Sequence, residues 1–84
     1  MIRGETVRCI VDYDLFDKNI NGEEGCFVKL NEETGKSLIY FWVNEEWAEL
    51  SANQFECPNN PGFVTDQNKE FVSHIKTLKF SLET

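Results

Sequence analysis

Histidine occurs once, proline twice and cysteine three times in this 84-residue chain, and long apolar runs are missing. Because no run approaches the roughly 20 apolar residues that a bilayer crossing needs, we expect no membrane span. The first six residues, Met-Ile-Arg-Gly-Glu-Thr, show neither the apolar centre of a secretory signal nor the bias of a transit peptide. The sequence therefore predicts a soluble, intracellular protein of the cytoplasm.

The three cysteines do not form a recognisable pattern. Cys9, Cys26 and Cys57 are odd in number and lack the Cys-x-x-Cys spacing of metal or redox pairs. We expect reduced thiols, with Cys9 and Cys26 packed on inward faces of strands. Cys57 stands beside Pro58 and is expected to be more exposed, and a regulatory or intermolecular disulfide stays an alternative there.

The scarcity of histidine and the small size argue against an enzyme. A Ser-His-Asp or Cys-His arrangement would need His74, which we interpret as a surface residue of an amphipathic segment. A domain of this size has little interior from which a deep substrate cavity could form. We therefore expect no catalytic residue and no cofactor. A closed pocket with convergent polar groups would revive the enzyme alternative.

One acidic stretch has the spacing of a metal loop without its other requirements. Asp12, Asp14 and Asp17 are separated by two and three residues, as in a calcium loop. The glycine that such a loop needs at its sixth position is replaced by Asp17, and Glu23 falls at the twelfth. We interpret the stretch as a solvated acidic loop and expect no metal.

Basic residues are few, which limits the class of partner. Eight Lys and Arg stand against fifteen Asp and Glu, for a net charge of −7. Nucleic acid is excluded as a partner because phosphate binding depends on basic side chains. Residues 1–64 hold twelve acidic and five basic side chains, so the excess lies there. A larger protein or complex with a basic surface is the expected partner.

Short alternating and β-branched segments predict a mainly β domain. Residues 12–22 are too polar for an element and are expected to form a long structured loop. The run at 37–43 is the most apolar, so we place it centrally in the sheet with both faces covered. One helical turn at 51–54 precedes the last strand. The predicted strands are 6–11, 25–30, 37–43, 47–50 and 55–57.

Five short strands with one long loop and one tight hairpin predict a bent sheet that closes on itself to remove its edges. We therefore expect a five-stranded SH3-like barrel over residues 1–57. Residues 58–64 contain both prolines and read as a Pro/Gly/Asn linker. Residues 65–84 form an amphipathic segment.

Two structures are open for the C-terminal segment. Thr65 or Asp66 could cap a helix, since Phe71, Val72 and Ile75 begin an apolar stripe at spacings of three and four that continues to Leu78 and Leu82. Leu78, Phe80 and Leu82 also alternate at period two, which fits a shorter helix followed by a strand. We favour the helix.

Three sequence features resemble a known group of domains. They are Arg3-Gly4-Glu5-Thr6-Val7-Arg8, the Gly22-x-x-Gly25 spacing before the second predicted strand, and Glu49-Leu50 followed by Phe55-Glu56. The resemblance covers residues 3–57. It is to small SH3-like barrels of oxygenic photosynthetic organisms, including the variable chain of ferredoxin-thioredoxin reductase, the PsaE subunit of photosystem I and ferredoxin-docking subunits of the photosynthetic NDH complex.

The resemblance implies a noncatalytic accessory subunit that docks on a larger complex of photosynthetic electron transport or redox chemistry. Members that receive ferredoxin present basic residues to it, whereas residues 3–57 here are strongly acidic. We therefore expect a client other than ferredoxin.

Aromatic residues next to acidic ones suggest where a partner binds. In barrels of this shape the first long loop and the loop between the second and third strands often line one groove, which here would have an aromatic floor and acidic walls. Two functions are open: broad docking on a basic protein surface, or recognition of a short peptide in this groove. The candidate partner-binding residues are Asp12, Tyr13, Asp14, Phe16, Asp17, Tyr40, Trp42 and Trp47.

Overall fold

The computed structural model describes residues 1–77 and consists of a curled antiparallel sheet, a small hairpin and one helix. The main sheet has five strands in the order β6-β5-β4-β1-β7, and β2 pairs with β3 in the hairpin. The elements are β1 Thr6–Cys9, β2 Asp14–Leu15, β3 Lys18–Asn19, β4 Glu24–Asn31, β5 Lys36–Phe41, β6 Glu46–Leu50, β7 Phe55–Glu56 and α1 Asp66–Thr77.

The mainly β fold with a C-terminal helix is confirmed. β6 and β7 form the two edges of the sheet in the described part of the chain, so the sheet is a half-barrel there. A strand beyond the helix, at Leu78 to Leu82, lies outside the described residues. Within residues 1–77 no helix combines the length and apolarity that crossing a bilayer requires.

The concave face of the sheet carries the hydrophobic core. Alternate residues of each strand point to it, as the period of two requires. Ile20, which follows β3, is fully buried there as well, and Val11, Tyr13 and Cys57 pack against its margin. The core residues are Val7, Cys9, Leu15, Ile20, Phe27, Ile39, Phe41, Ala48, Leu50 and Phe55.

A β-bulge in β4 corrects the predicted alternation of that strand. The pairing with β5 shifts between Phe27 and Lys29. Cys26 is fully buried as expected, but it pairs with Thr6 and Tyr40 and so lies on the convex, helix-facing side of the sheet. Leu30, which alternation placed on the same face, pairs with Ser37 and is half exposed. A bulge adds one residue to one strand, so Cys26 before it and Leu30 after it lie on opposite faces.

One expectation about the sheet is confirmed and another was wrong. The apolar run at 37–43 forms β5, which lies inside the sheet with a neighbour on each side, as expected. Residues 12–22 contain the β2–β3 hairpin, where a loop without strands was predicted. The sequence does not indicate this hairpin, because its strands are two residues long and only Leu15 among their four residues is buried.

The helix begins where its sequence signals place it. The Thr65 hydroxyl accepts a hydrogen bond from the Asn68 N–H at 3.0 Å, so Thr65 is the N-cap. The segment before it runs beside β1, where the Thr6 N–H donates to the Phe63 carbonyl oxygen. Gly4 has a φ of 98°, and a Cβ there would lie 3.3 Å from Val64. A glycine is therefore needed where the N-terminus passes under the linker.

Candidate partner-binding surface

The β2–β3 hairpin presents an exposed phenylalanine at its tip. Leu15 and Lys18 pair across the turn, which leaves Phe16 and Asp17 as its two central residues. Phe16 has a φ of 59° and is 71% exposed, and Asp14 and Asp17 beside it are exposed as well. A bulky side chain in the left-handed region costs about 1 to 2 kcal/mol, and Phe16 makes no compensating burial.

Asp12 and Tyr13 support this hairpin from its base. The Asp12 carboxylate accepts hydrogen bonds from the side chains of Asn21 at 2.9 Å and Asn19 at 3.4 Å. These two bonds, Asn21 first, lower the pKa of the Asp12 carboxyl, against a smaller opposing effect of burial. The half-buried Tyr13 ring packs against the core. Asp12 and Tyr13 therefore hold the hairpin in position. Its exposed surface consists of Asp14, Phe16 and Asp17.

The turn between β5 and β6 lies against the hairpin. Asn44 Nδ2 donates a hydrogen bond of 3.1 Å to the Leu15 carbonyl oxygen. The other amide atom, Asn44 Oδ1, is buried and has no hydrogen-bond partner among residues 1–77. Glu45 in the same turn has a φ of 54°, and Val43 is 42% exposed. Phe16 and Glu45 are the two non-glycine residues with positive φ in the described chain, and they lie in neighbouring turns.

The other three predicted aromatic residues lie on the convex face, beneath α1. The aromatic cluster is defined as Tyr40, Trp42, Trp47 and Phe71. Tyr40 contacts both Trp42 and Trp47 edge to face at 5.1 Å between ring centroids. Phe71 of α1 stacks on Tyr40 at 4.4 Å and contacts Trp42 at 5.2 Å and Trp47 at 5.7 Å. Most of the area of these rings that faces the helix is therefore used inside the fold.

A buried asparagine fixes the helix above this cluster. Asn68 is 1% exposed, and its Oδ1 accepts a hydrogen bond of 2.9 Å from Trp42 Nε1. Its Nδ2 donates to the Gly4 carbonyl oxygen at 3.0 Å and to Thr6 Oγ1 at 3.2 Å. One side chain thus joins α1 to β1, to the N-terminal segment and to the end of β5.

An open groove runs between the helix and the edge of this cluster. It has a volume of about 470 Å³ and is lined by the side chains of Trp42 and Phe71, which we call its floor. Asp66 and Glu70 stand along one side, one helical turn apart, and both are exposed. Gln67 and His74 complete the lining. We call it the Trp42–Phe71 groove.

The structure separates the predicted site residues into two groups. Tyr40, Trp42 and Trp47 come together on the convex face. Tyr13 packs against the core, and Phe16 lies exposed at the hairpin tip. The hairpin contacts the β5–β6 turn.

Sequence reasoning missed Asn68 and the use of Phe71, Asp66 and Glu70. The stripe that contains Phe71 marked a buried helix face without indicating what covers it. Asp66 was considered only as a possible helix cap and Glu70 was not singled out, because charged residues are usual on the solvated face of a helix. A polar residue such as Asn68 gives no sequence signal of burial.

The carboxylate of Glu5 and the thiol of Cys57 are in contact beside the 58–64 linker. This pair is separate from the hairpin tip and from the aromatic cluster. Glu5 is 2% exposed; its Oε2 accepts a hydrogen bond of 2.9 Å from Cys57 Sγ, and its Oε1 accepts one from the Ile2 N–H. Burial favours the neutral acid, but the hydrogen bonds from Cys57, Gly62 and Ile2 together lower the pKa of Glu5. Burial, followed by the bond to Glu5 and its charge, raises the pKa of Cys57 to about 11.

Replacing Glu5 by Gln is expected to lower stability at pH 7 by about 1 to 2 kcal/mol, because hydrogen bonds to a charged acceptor are lost. The pKa of Glu5 is lowered on folding from its ordinary value of 4.5, so its contribution is present above pH 4.5 and is lost as the pH falls through the folded pKa. Urea unfolding at several pH values should therefore show the wild-type advantage vanishing in acid.

Alkylation of Cys57 gives a second measurement of the same contact. In wild type the thiolate should form only near pH 11, and in the Glu5→Gln variant at lower pH. The exposed Glu49→Gln change is the control. Identical pH profiles for wild type and Glu5→Gln would contradict the assignment of this pair.

Among residues 1–77 no three His, Cys, Asp or Glu side chains are grouped so that they could hold a metal ion. No family model, no curated protein and no solved structure matches this chain. The functional conclusion therefore depends on the chain's own residues.

Proposed function

We propose that this chain is a noncatalytic, acidic, SH3-like protein-binding accessory subunit of the cytoplasm that docks on a basic surface of a larger protein. The observation that carries the proposal is Phe16, an aromatic side chain held at positive φ and 71% exposed at a hairpin tip between two aspartates. The positive φ closes the two-residue hairpin, but the exposed ring adds little burial to the fold, which suggests a use for it outside the fold.

The charge of the surroundings supports a basic partner. Asp14 and Asp17 flank Phe16, and Glu45 lies in the turn that touches the hairpin. Around an aromatic anchor, such carboxylates would steer a basic surface towards the tip and exclude acidic ones. Lys18 is the one basic residue of the hairpin, and the chain as a whole carries −7.

The SH3-like interpretation is supported by the order of the elements. β1 pairs with both β4 and β7, and a single turn of 3₁₀ helix at Ala52–Gln54 leads into β7. The β1 pairings and the 3₁₀ turn agree with the sheet and the helical turn from which the barrel was predicted. With the resemblance over residues 3–57, they make a subunit of a photosynthetic electron-transport or redox complex the setting that we propose.

The alternative is a peptide-recognition module, and the Trp42–Phe71 groove favours it. This groove has the aromatic floor and acidic side that the alternative requires, although it lies beside α1 and not between the two predicted loops. A peptide-array screen separates the two functions. A subunit that docks by a broad surface shows no preference for a short motif, whereas a recognition module does.

The docking proposal is tested by substitutions at Phe16 that spare the fold. Asn tolerates positive φ, so Phe16→Asn should unfold at the same or a higher urea concentration than wild type. Partners retained by the tagged wild-type chain from its native host should be bound at least tenfold more weakly by Phe16→Asn. Calorimetry at two salt concentrations then compares the affinities of wild type and Phe16→Asn for the purified partner.

Charge variants identify the type of partner. Joint replacement of Asp14 and Asp17 by Lys should weaken binding and flatten its salt dependence. Joint replacement of Glu32 and Glu33 by Lys makes the same charge change at the β4–β5 turn and is the matched control. Asp12 is left intact because it supports the hairpin. Unchanged affinity in both the Phe16 and the aspartate variants would refute docking through this tip.

A further inference from the structure

A second surface of the molecule has the chemistry of a cation site. The floor of the Trp42–Phe71 groove consists of two rings at 74° to each other, with centroids 5.2 Å apart. An aromatic face attracts a cation through the negative potential above the ring. Trp42 is fixed in place because its Nε1 donates to Asn68, so the floor is formed before any ligand arrives.

The charged side of the groove is acidic. Asp66 and Glu70 lie four residues apart on α1, so their carboxylates line the same face of the helix. Among residues 1–75 the groove lining includes no Lys or Arg. A cation on the rings would therefore meet the carboxylates of Asp66 and Glu70, with the imidazole of His74 beside them.

The shape of the groove favours one kind of cation. The groove is open along its length, so it does not enclose a compact ammonium group on all sides. A planar guanidinium can stack on one ring and direct its forked N–H donors sideways to carboxylates. Lysine offers a point charge that is more strongly hydrated and does not stack.

We propose that the Trp42–Phe71 groove binds the side chain of an arginine from a basic segment of the partner protein. The guanidinium stacks on Trp42 or Phe71 and donates hydrogen bonds to Asp66 and Glu70. This inference rests on the proposed function in requiring a basic partner, but it uses a surface separate from the Phe16 hairpin.

The test uses three capped peptides, Gly-Ser-Arg-Gly-Arg-Ser-Gly and its counterparts with lysine or citrulline in place of arginine. Citrulline keeps the shape of arginine without its charge. The reporter is the indole N–H signal of Trp42 in two-dimensional NMR of the full chain, assigned by comparison with Trp47→Phe. We expect the arginine peptide to shift this signal with an affinity at least tenfold higher than the citrulline peptide and about threefold higher than the lysine peptide.

Matched variants separate the groove from the general negative charge. Joint Asp66→Asn and Glu70→Gln should weaken arginine-peptide binding at least tenfold. Joint Glu32→Gln and Glu33→Gln removes the same charge at the β4–β5 turn and should leave the affinity within twofold. Thermal unfolding of each variant checks that α1 stays docked.

Four results would overturn the inference. They are equal affinity for the citrulline peptide, equal loss in the Glu32 and Glu33 variant, no shift of the Trp42 signal, or a shift that grows with protein concentration without peptide. The last would assign the groove to a second copy of the chain. If partner binding depends on Phe16 while the groove variants bind normally, the arginine site fails and the docking function stands. If the arginine peptide binds the groove while Phe16→Asn binds the partner normally, only docking through Phe16 fails.

Discussion

Replacing Phe71 by Ala is expected to lower the free energy of unfolding by about 3 kcal/mol. This value is the low end of the range for truncating a packed phenylalanine, and we use it because the ring is half buried. Phe71 contacts every other member of the aromatic cluster, and Tyr40 stacks on it at 4.4 Å. Without it, Tyr40, Trp42 and Trp47 would lose their common partner. Urea unfolding followed by circular dichroism and by tryptophan fluorescence measures the loss.

The control for Phe71→Ala is Ser73→Ala, two residues further along the same helix and exposed. It should change the stability by less than about 0.5 kcal/mol, as is usual for surface positions. A loss below 1 kcal/mol for Phe71→Ala would mean that the helix is not held by this ring. Fluorescence should also change before global unfolding if α1 separates from the sheet alone.

Replacing Asn68 by Leu is expected to cost about 3 kcal/mol, because leucine leaves two or three buried polar groups without partners. Trp42 Nε1 loses its acceptor, while the Gly4 carbonyl and the Thr6 hydroxyl lose their donor. Leucine has the same branching and a higher helix propensity but a larger volume, so the loss reflects the missing hydrogen bonds together with tighter packing. Chemical denaturation gives the size, and amide hydrogen exchange shows whether α1 opens first.

Ser73→Leu provides the comparison for Asn68→Leu, since it places the same side chain at an exposed position of α1. Asn68→Asp is a second one, because it keeps the acceptor for Trp42 and removes the donor to Gly4. Its stability should fall between those of wild type and Asn68→Leu. If Asn68→Leu is as stable as wild type, water or a rearranged backbone satisfies these groups and Asn68 does not anchor the helix.

The Phe71→Ala and Asn68→Leu substitutions should also affect arginine binding in the Trp42–Phe71 groove. The groove exists only while α1 rests on β5, since its floor takes Trp42 from the sheet side and Phe71 from the helix. A variant that releases the helix should therefore lose arginine binding without losing the hairpin tip. Binding through Phe16 should persist in a helix-released variant whose sheet stays folded.

Local sequence signals predicted most of the elements. Alternation and β-branched content gave the five strands of the sheet within a few residues, because one face of each strand must be apolar to form the core. The N-cap at Thr65 and the stripe through Phe71 and Ile75 predicted α1, and Ile75 is 3% exposed as this stripe requires. The burial of Cys26 was predicted, but the bulge places it and Leu30 on opposite faces of the sheet, which a regular alternation does not show.

The candidate site was less predictable. The sequence indicated Phe16, Asp14 and Asp17 as surface residues of one region, and the structure places them at one tip. Tyr40, Trp42 and Trp47 were predicted as part of the same groove, yet their partner is a helix some thirty residues later in the chain. Contacts of this range depend on how the sheet curls and where the linker leads, which local patterns do not encode.

The sequence by itself determined the chemistry that this chain can offer: a small mainly β domain, strongly acidic, with one histidine and 13% aromatic residues. Charge and apolar periodicity are properties of composition and neighbouring residues, so they can be read without coordinates. Only the tertiary structure decided which aromatic side chains are exposed at the surface and which pack inside the fold. The bulge in β4 and the bonds of Asn68 depend on contacts between segments that are distant in sequence. With these contacts the predicted aromatic residues divide between a hairpin tip and a helix-lined groove.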